Sequence, residues 1–318
     1  MCGITGFFKL SSDATVENSL LTTMNQAQFH RGPDEGGEYI DDHVALGHRR
    51  LSIIDLSSGQ QPMLSDCENY ILVFNGEIYN FPEVREELIA KGHHFNTHSD
   101  TEVILRAHME WGEESIHKLR GMFAYALWDK VKKSLYVTRD RLGIKPLFWA
   151  IIDDVFYFAS ELKSLKVLPN LDKTIEPKAL EQYFAFGYVA EPNTIYKQVA
   201  KLSPGHTLSI SLETPVPHIR QYWDVSYANQ TDYDEKSYQE ALINEFQKSI
   251  SSHMMAEVPL GSFLSGGVDS SAVVAMMSQE SKQPVKTCSI GFDVADYNET
   301  DFARMVAKKY QTDHQEKI

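Results

Sequence analysis

The chain has 318 residues, of which 42% are hydrophobic, so it is long enough to form two domains of ordinary size. Its formal net charge of −14 argues against a nucleic-acid partner or an anionic membrane surface. Three widely spaced cysteines (Cys2, Cys67 and Cys288) argue against a disulfide framework, and no apolar run reaches the length of a membrane span. We therefore expect a cytoplasmic protein. Its oligomeric state, monomer or homodimer, stays open.

The first predicted strand, residues 3–10, follows directly after Cys2. Removal of Met1 would give Cys2 a free α-amine, so that one residue would carry both a thiol nucleophile and a base. An α-amine titrates at about 7.7 and a thiol at about 8.5, so the amine can accept the thiol proton near neutral pH. The alternative is that Cys2 is simply the first residue of a strand, and a Met-Cys start alone does not decide between the two.

Hydrophobic periodicity predicts a layered domain over the next part of the chain. Predicted helices cover residues 16–29, 82–92 and 100–112, and predicted strands cover residues 44–54, 70–74, 123–128, 135–139 and 155–160. Asp100 is expected to be the N-cap of the third helix. These elements predict two layered antiparallel sheets with helices outside.

Two segments between these strands carry turn signals. Asn75-Gly76-Glu77 directly follows a strand, and Asn-Gly is the strongest short turn signal in the chain, so a tight turn is predicted there. The run 139–147 could be a phosphate loop, but its spacing matches neither a P-loop nor a dinucleotide motif. A structural turn between two strands is therefore the favoured interpretation.

Proline becomes frequent after residue 172, and we place the first domain at 1–210, a linker at 211–232 and a second domain at 233–318. The second domain begins with a helix that carries apolar side chains at every fourth position. The segments that follow alternate between strand and helix: strand 259–264, helix 270–279, strand 285–290 and helix 300–309. This alternation predicts the start of a parallel α/β sheet, with too few strands for a complete nucleotide-binding domain.

A glycine-serine loop joins the first strand and helix of this second domain. It reads Leu264-Ser265-Gly266-Gly267-Val268-Asp269-Ser270. Glycines at such a position let backbone N–H groups close on phosphate oxygens, and the helix N-terminus adds partial positive charge. Asp269 could hold Mg²⁺, which prefers oxygen ligands. The loop lacks the lysine of a Walker A motif, so a different kind of phosphate loop is predicted.

The loop resembles the pyrophosphate loop of enzymes that adenylate a carboxylate. Together with Met1-Cys2-Gly3-Ile4, Arg31-Gly32-Pro33-Asp34 and Asn75-Gly76-Glu77, it makes the whole chain resemble glutamine-hydrolysing asparagine synthetase. The resemblance implies an α+β N-terminal nucleophile hydrolase sandwich with class II glutaminase activity. It also implies that the second domain is the N-terminal part of an ATP-dependent synthetase domain, here truncated.

The resemblance assigns roles to residues of the first domain. Cys2 would attack the side-chain amide of glutamine, while the Asn75 side chain and the Gly76 N–H would stabilise the oxyanion. Arg50 would bind the α-carboxylate of glutamine. Glu77 and Asp100 would bind its α-ammonium group, and Asp100 could serve as a helix cap as well.

The resemblance also assigns the second site. Ser265, Gly266, Gly267, Asp269 and Ser270 would bind the phosphates of ATP, with Mg²⁺ at Asp269, and Leu264 and Ile290 would contact the nucleotide. Glutamine, ATP and aspartate are therefore the expected substrates, and asparagine, AMP and pyrophosphate the expected products. Two alternatives stay open: amidation of another carboxylate in a polysaccharide or secondary-metabolite pathway, and a non-catalytic relative that acts as a binding module.

Overall fold

The computed structural model describes residues 1–11, 13–228, 232–294 and 298–317. The chain forms two compact units, Met1–Ser226 and Tyr227–Ile318. Cys2, Cys67 and Cys288 are free thiols. Among the described residues, no helix combines the length and the apolar character needed to cross a membrane.

The first unit contains two six-stranded sheets, and β1 (Gly3–Lys9) lies inside the first of them. Its other strands are β2 (Glu35–Ile40), β3 (Val44–Arg50), β8 (Phe148–Ile152), β9 (Val155–Ala159) and β10 (Ala200–Lys201). The order is β10-β8-β9-β1-β3-β2, and β1 pairs antiparallel with both neighbours. The pairing of Gly3 with Arg49 brings the start of β1 beside the end of β3.

The second sheet has the order β12-β11-β7-β6-β5-β4 and is also antiparallel. Its strands are β4 (Met63–Leu64), β5 (Tyr70–Ile78), β6 (Gly121–Asp129), β7 (Ser134–Arg139), β11 (His206–Ser211) and β12 (His218–Gln221). Helices lie on the outer faces of the two sheets, so the predicted sandwich with helices outside is confirmed.

The apolar core between the two sheets determines how they face each other. Ile4 and Phe8 of β1 pack in one cluster with Val73 of β5 and Trp128 of β6, and all four are essentially inaccessible to solvent. The Phe8 and Trp128 rings lie 5.2 Å apart, and the Trp128 indole donates a 2.8 Å hydrogen bond to Asp41. Burial of each such side chain contributes about 1.5–3 kcal/mol, so this core holds β1 against β5.

The helices of the first unit are α1 (Ser19–Gln26), α2 (Phe81–Ala90), α3 (Asp100–Trp111), α4 (Leu162–Leu165) and α5 (Pro177–Phe186), with 3₁₀ turns at Phe29–Arg31 and Gly112–Lys118. Leu21 and Met24 of α1 pack on the outer face of the first sheet. Ile104 and Leu105 of α3 pack on the outer face of the second. The predicted N-cap of α3 is wrong by one residue, because the Ser99 side chain accepts the 3.1 Å hydrogen bond from Thr101 N and Asp100 is already helical.

The predicted turn at Asn75-Gly76 is wrong. Both residues lie inside β5, and their cross-strand partners in β6 are Ala124 and Phe123. A Cβ atom at Gly76 would collide with the Met122 carbonyl oxygen and with the Phe123 backbone. The glycine is therefore required by the close approach of two strands rather than by a turn.

The expected linker at residues 211–232 differs from the structure in its first half. Residue 211 ends β11, and β12 pairs with β11 from Ser209↔His218 to His206↔Gln221. These residues satisfy their backbone hydrogen bonds in the second sheet, so they belong to the first unit. Residues 229–231 lie outside the described part of the chain.

The second unit begins with α6 (Glu235–His253) and continues with β13 (Gly261–Phe263), α7 (Val268–Glu280), β14 (Lys286–Ile290), α8 (Thr300–Tyr310) and β15 (Asp313–Lys317). The three strands form a parallel sheet in the order β13-β14-β15, so the predicted start of a parallel α/β sheet is confirmed. Sequence reasoning missed β15 because Asp313–Lys317 carries polar and charged side chains without an apolar pattern.

Replacement of the core residue Phe8 by alanine tests the inter-sheet packing. We expect Phe8→Ala to lower the free energy of unfolding by about 3–5 kcal/mol, because it leaves a cavity between the sheets. Val131, which is 72% exposed, provides the control, and Val131→Ala should stay within about 0.5 kcal/mol of the parent. Chemical denaturation measures both, and a similar small effect of the two variants would contradict the assignment of the core.

Candidate active site

A cavity of about 180 Å³ opens where the start of β1 faces the last part of β5. The residues that the sequence predicted for glutamine chemistry all line it: Cys2, Arg50, Asn75, Gly76, Glu77 and Asp100. They come from three places, namely the first sheet, β5 and the first turn of α3. Side chains of β5 alternate between the faces of the sheet, so Asn75 and Glu77 point to the same side as the core residue Val73.

The backbone of Cys2 is held by a buried arginine, and its thiol contacts the chain after β3. Arg31 Nε donates a 2.8 Å hydrogen bond to the Cys2 carbonyl oxygen, and Arg31 forms a 3.1 Å salt bridge with Glu161. The Leu51 N–H donates to Cys2 Sγ at 3.4 Å, and the thiol lies 3.6 Å from the Leu51 carbonyl oxygen. Burial raises the pKa of the Cys2 thiol, because an apolar environment disfavours the thiolate. Ionisation of this thiol therefore needs help from neighbouring groups.

Asn75 presents a buried side-chain amide that has no partner. Its Nδ2 and Oδ1 atoms make no hydrogen bond to any residue that the structure describes, and the side chain is 1% exposed. A buried unpaired amide costs about 1–3 kcal/mol. Because the same residue lines the cavity, a molecule in the cavity is the natural partner for this amide.

The Gly76 N–H faces away from β6. Phe123, its cross-strand partner, uses both of its backbone groups elsewhere: its N–H donates to Asp140 Oδ2 at 3.1 Å, and its carbonyl oxygen accepts from Asp140 N at 2.7 Å. The Gly76–Phe123 pair is therefore a non-hydrogen-bonded pair, in which each N–H points away from the partner strand. The Gly76 N–H thus has no partner in β6, and Gly76 lines the same cavity as Asn75.

Arg50 is fixed at the opposite wall of the cavity. Its Nη1 atom forms a 2.9 Å salt bridge with Glu35, and its Nη2 atom donates to the carbonyl oxygens of Ile54 at 3.3 Å and Asp55 at 2.5 Å. These bonds orient the guanidinium group, whose planar set of donors suits a carboxylate.

Asp100 is a fully enclosed carboxyl at the back of the cavity. Its Oδ2 atom accepts a 3.0 Å hydrogen bond from the Ile78 N–H. Burial, together with the neighbouring negative charge of Glu77, raises the pKa of Asp100 to about 7. A cation placed between these two carboxyls would reverse the shift, so this corner of the cavity is built for a positive group.

The glycine-serine loop of the second unit lies between β13 and α7. Gly266 has a φ of +84°, and a Cβ atom there would meet the backbone of Phe302 and Ala303. The Ser265 and Ser270 hydroxyls lie 3.0 Å apart, and Gly267 is the N-cap residue of α7. The loop therefore presents hydroxyls and backbone donors at the N-terminus of a 13-residue helix.

A second cavity of about 320 Å³ lies beside this loop. Leu264, Ser265, Ser270 and Ile290 line it, so the structure brings these expected nucleotide-binding residues together. Gly266, Gly267 and Asp269 are not among its lining residues, because they form the adjoining turn and the first turn of α7.

Comparison with known proteins identifies the family. A family model described as a glutamine amidotransferase domain matches residues 1–223, which is most of the chain. The chain belongs to the glutamine amidotransferase domain family. A second family model, described as asparagine synthase, matches residues 241–318, beyond the amidotransferase domain.

Relatives match both units of the chain. Glutamine-hydrolyzing asparagine synthetase 1 of Bacillus subtilis strain 168 is 44% identical over 313 residues, which cover 96% of this chain and 48% of that protein. Glutamine-hydrolyzing asparagine synthetase 3 of the same organism is 35% identical over 311 residues, which cover 95% of this chain and 49% of that protein. The chain thus spans about half the length of these relatives.

A solved structure supports the fold of the amidotransferase domain. The structure described as the allosteric regulatory enzyme of purine biosynthesis matches with a TM-score of 0.50 at 16% identity. The match covers 100% of this chain and 80% of the other.

Gln61 and Lys145 are among the residues of the first cavity that sequence reasoning missed. Gln61 lines it and accepts the Phe74 N–H at 2.6 Å, and Lys145 lines it although it belongs to the run 139–147 that was interpreted as a turn. That run does join β7 to β8, but Lys145 is only 6% exposed. Nothing in the local pattern distinguishes it from a lysine on a surface loop, because its burial follows from tertiary contacts.

The raised pKa of Asp100 predicts a pH dependence of stability. The pKa of the Asp100 carboxyl in the folded chain, about 7, lies above its ordinary value of 3.8, so folding favours the protonated carboxyl. The contribution of Asp100 is therefore most favourable below pH 4 and is lost as the pH rises toward 7. We expect Asp100→Asn to gain stability relative to the parent across this interval, measured by denaturation at each pH. Parallel stability curves for the two proteins would contradict the assignment.

Proposed function

We propose that the first unit hydrolyses glutamine at Cys2 and that the released ammonia amidates aspartate activated by ATP in the synthetase domain. The observation that carries the first part is the unpartnered Asn75 amide in a cavity that also holds Cys2, Arg50, Glu77 and Asp100. The names of the relatives support the second part.

In the proposed reaction, removal of Met1 gives Cys2 a free α-amine that accepts the thiol proton. The sulfur attacks the side-chain amide carbon of glutamine and forms a tetrahedral intermediate. The C–N bond then breaks, the nitrogen leaves as ammonia with the transferred proton, and a thioester remains. Water hydrolyses the thioester, releases glutamate and restores the thiol.

The oxyanion of the tetrahedral intermediate would lie between Asn75 Nδ2 and the Gly76 N–H. Both donors are in place before the reaction, because β5 is rigid and neither donor faces a competing acceptor across the β6 ladder. Donors fixed in this way stabilise the developing charge without reorganisation.

The charged groups of glutamine would bind on either side of the reacting amide. Arg50, held by Glu35 and two carbonyl oxygens, would bind the α-carboxylate. Glu77 and Asp100 would bind the α-ammonium group, whose positive charge lowers the pKa of Asp100 from about 7. Glutamine binding near neutral pH would therefore release a proton.

The glycine-serine loop of the second unit fits the phosphates of ATP. Backbone donors at the start of α7 and the hydroxyls of Ser265 and Ser270 suit anionic oxygens, and Gly266 occupies a position where a side chain would collide with α8. Leu264 and Ile290, in the adjacent cavity, would contact the nucleotide. Asp269, the acidic residue in the first turn of α7, would hold Mg²⁺, which would supply positive charge beside the phosphates.

Removal of the nucleophile or of one oxyanion donor tests the hydrolysis of glutamine. We expect Cys2→Ala to abolish ammonia release and Asn75→Ala to lower kcat about 100- to 1,000-fold. The free energy of unfolding of Asn75→Ala should not fall by more than about 1 kcal/mol, because the amide that is removed makes no hydrogen bond to the described residues.

Asn170→Ala, at an exposed loop, is the control for the second variant and should retain full activity. Undiminished ammonia release from the Cys2 variant would refute the assignment of the nucleophile. A large loss of stability in the Asn75 variant would instead indicate a structural role for this amide.

The synthetase reaction requires a protein that contains this chain and a complete synthetase domain. With ATP, Mg²⁺ and glutamine, we expect AMP formation to depend on aspartate and asparagine to accumulate. Asp269→Ala should reduce AMP formation at least tenfold while leaving glutamine hydrolysis unchanged, because the two sites use different residues. AMP formation that is indifferent to aspartate would point to another carboxylate acceptor.

A further inference from the structure

Lys145 is a buried cation in the glutaminase cavity that none of the roles above uses. Its side chain is 6% exposed, and it lines the cavity together with Cys2 and Glu77. Its ammonium group forms no hydrogen bond or salt bridge with any residue that the structure describes. By contrast, Arg50, the other cation of the cavity lining, is paired with Glu35.

The loop that carries Lys145 is held rigid by Asp140 and Arg139. The Asp140 carboxylate accepts backbone N–H groups of Phe123 at 3.1 Å, Leu142 at 3.1 Å, Ile144 at 2.9 Å and Lys145 at 2.9 Å. Arg139 Nε donates a 2.8 Å hydrogen bond to the Lys145 carbonyl oxygen. The N–H and the carbonyl oxygen of Lys145 are therefore both held by hydrogen bonds. The Asp140 carboxylate that accepts from Lys145 also accepts from Phe123, the residue opposite Gly76.

Burial of an ammonium group without a paired carboxylate costs folding free energy, so the position of Lys145 in this cavity needs a functional explanation. In the proposed binding mode, both charges of glutamine already have partners. Arg50 binds the α-carboxylate, and Glu77 and Asp100 bind the α-ammonium group. The remaining charge is the negative charge that develops on the Cys2 sulfur and on the attacked carbonyl. Burial lowers the pKa of Lys145, whereas the negative charge of Glu77 and that of a Cys2 thiolate raise it. Burial also raises the pKa of the Cys2 thiol, so a positive charge in the same cavity would oppose that effect.

We propose that Lys145 is a further residue of the glutaminase reaction, whose positive charge favours the Cys2 thiolate and the anionic intermediate formed from it. Burial lowers the pKa of the Met1 α-amine, and the charge of Lys145 contributes in the same direction, so we expect the same charge to favour the basic form of the Cys2 α-amine once Met1 is removed. This inference rests on the proposed glutamine hydrolysis. The other charged or titratable groups around Cys2, Lys145 and the amine are Arg31, Asp34, Arg50, Glu77, Asp100 and Asp140.

Alkylation of Cys2 by iodoacetamide tests the effect on the thiol without any need for glutamine hydrolysis. In Lys145→Gln, we expect the rate at pH 7 to fall about tenfold, equivalent to a rise of about one unit in the apparent pKa of the thiol. Lys145→Arg should keep the rate within about twofold of the parent. Mass spectrometry of the peptides separates Cys2 from the exposed Cys67 and Cys288, which serve as internal controls.

Steady-state kinetics tests the effect on the reaction. We expect Lys145→Gln to lower kcat about tenfold with little change in KM, and to shift the acidic limb of the pH profile upward by about one unit. Lys145→Arg should keep kcat and the acidic limb of the pH profile close to those of the parent. Lys130→Gln, at an exposed turn, should change neither kcat nor the pH profile. Should Lys145→Gln fail to fold, Lys145→Met keeps the aliphatic stem and is subject to the same measurements.

Unchanged alkylation and kcat in the folded Gln or Met variant would overturn the proposal. A raised KM with unchanged kcat would also overturn it, since Lys145 would then bind the substrate. If the parent protein hydrolyses no glutamine, the proposed function fails, whereas the alkylation experiment still decides whether Lys145 acts on Cys2.

Discussion

The apolar contact between β1 and β5 is the constraint on which the first cavity depends. Cys2 precedes one of these strands and Asn75 belongs to the other, and the strands lie in different sheets. No hydrogen bond of a β-ladder joins them, so their separation is determined by side chains such as Ile4 and Val73 that interdigitate between the sheets. Packed sheets lie about 10 Å apart, which leaves room for a small polar molecule where the core ends. The position of Cys2 relative to Asn75 and Gly76 is therefore a result of hydrophobic packing.

The two units differ in how many of the groups needed for their proposed reactions come from residues of this chain. In the proposed function, the first unit would contribute the nucleophile, the oxyanion donors and the groups that bind both charges of glutamine, and the residues proposed for these roles all line one cavity. The second unit would contribute the phosphate-binding loop, which lies beside a cavity on a three-stranded sheet. Hydrolysis of glutamine can thus be explained with residues of this chain alone. The proposed amidation would also require a cationic partner for the acceptor carboxylate, and no lysine or arginine among the described residues lines the second cavity.

The elements predicted correctly are those whose pattern is local. Periodicity predicts the strands around Phe7 and Val137 and the alternation of strands and helices in the second unit. Periodicity and capping predict the helix that begins near Asp100. The turn expected at Asn75-Gly76 failed because pairing with β6, a contact between distant residues, overrode the local preference of Asn-Gly. The residues of the glutaminase site were found through a resemblance of motifs. Lys145 was not found, because a lysine in a polar loop looks exposed until Asp140 and Arg139 fold that loop inward.

In the proposed reaction, the first cavity binds a zwitterion first and an anionic intermediate afterwards. Arg50 would contact the α-carboxylate of glutamine, and Glu77 and Asp100 would contact its α-ammonium group. Lys145, which neither of these contacts uses, lines the same cavity as Cys2. The Asn75 side-chain amide also lies unpaired there. If Lys145 and Asn75 bind the negative charge that develops at the reacting centre, they would stabilise the transition state more than the bound substrate, and such selective stabilisation raises kcat rather than substrate affinity.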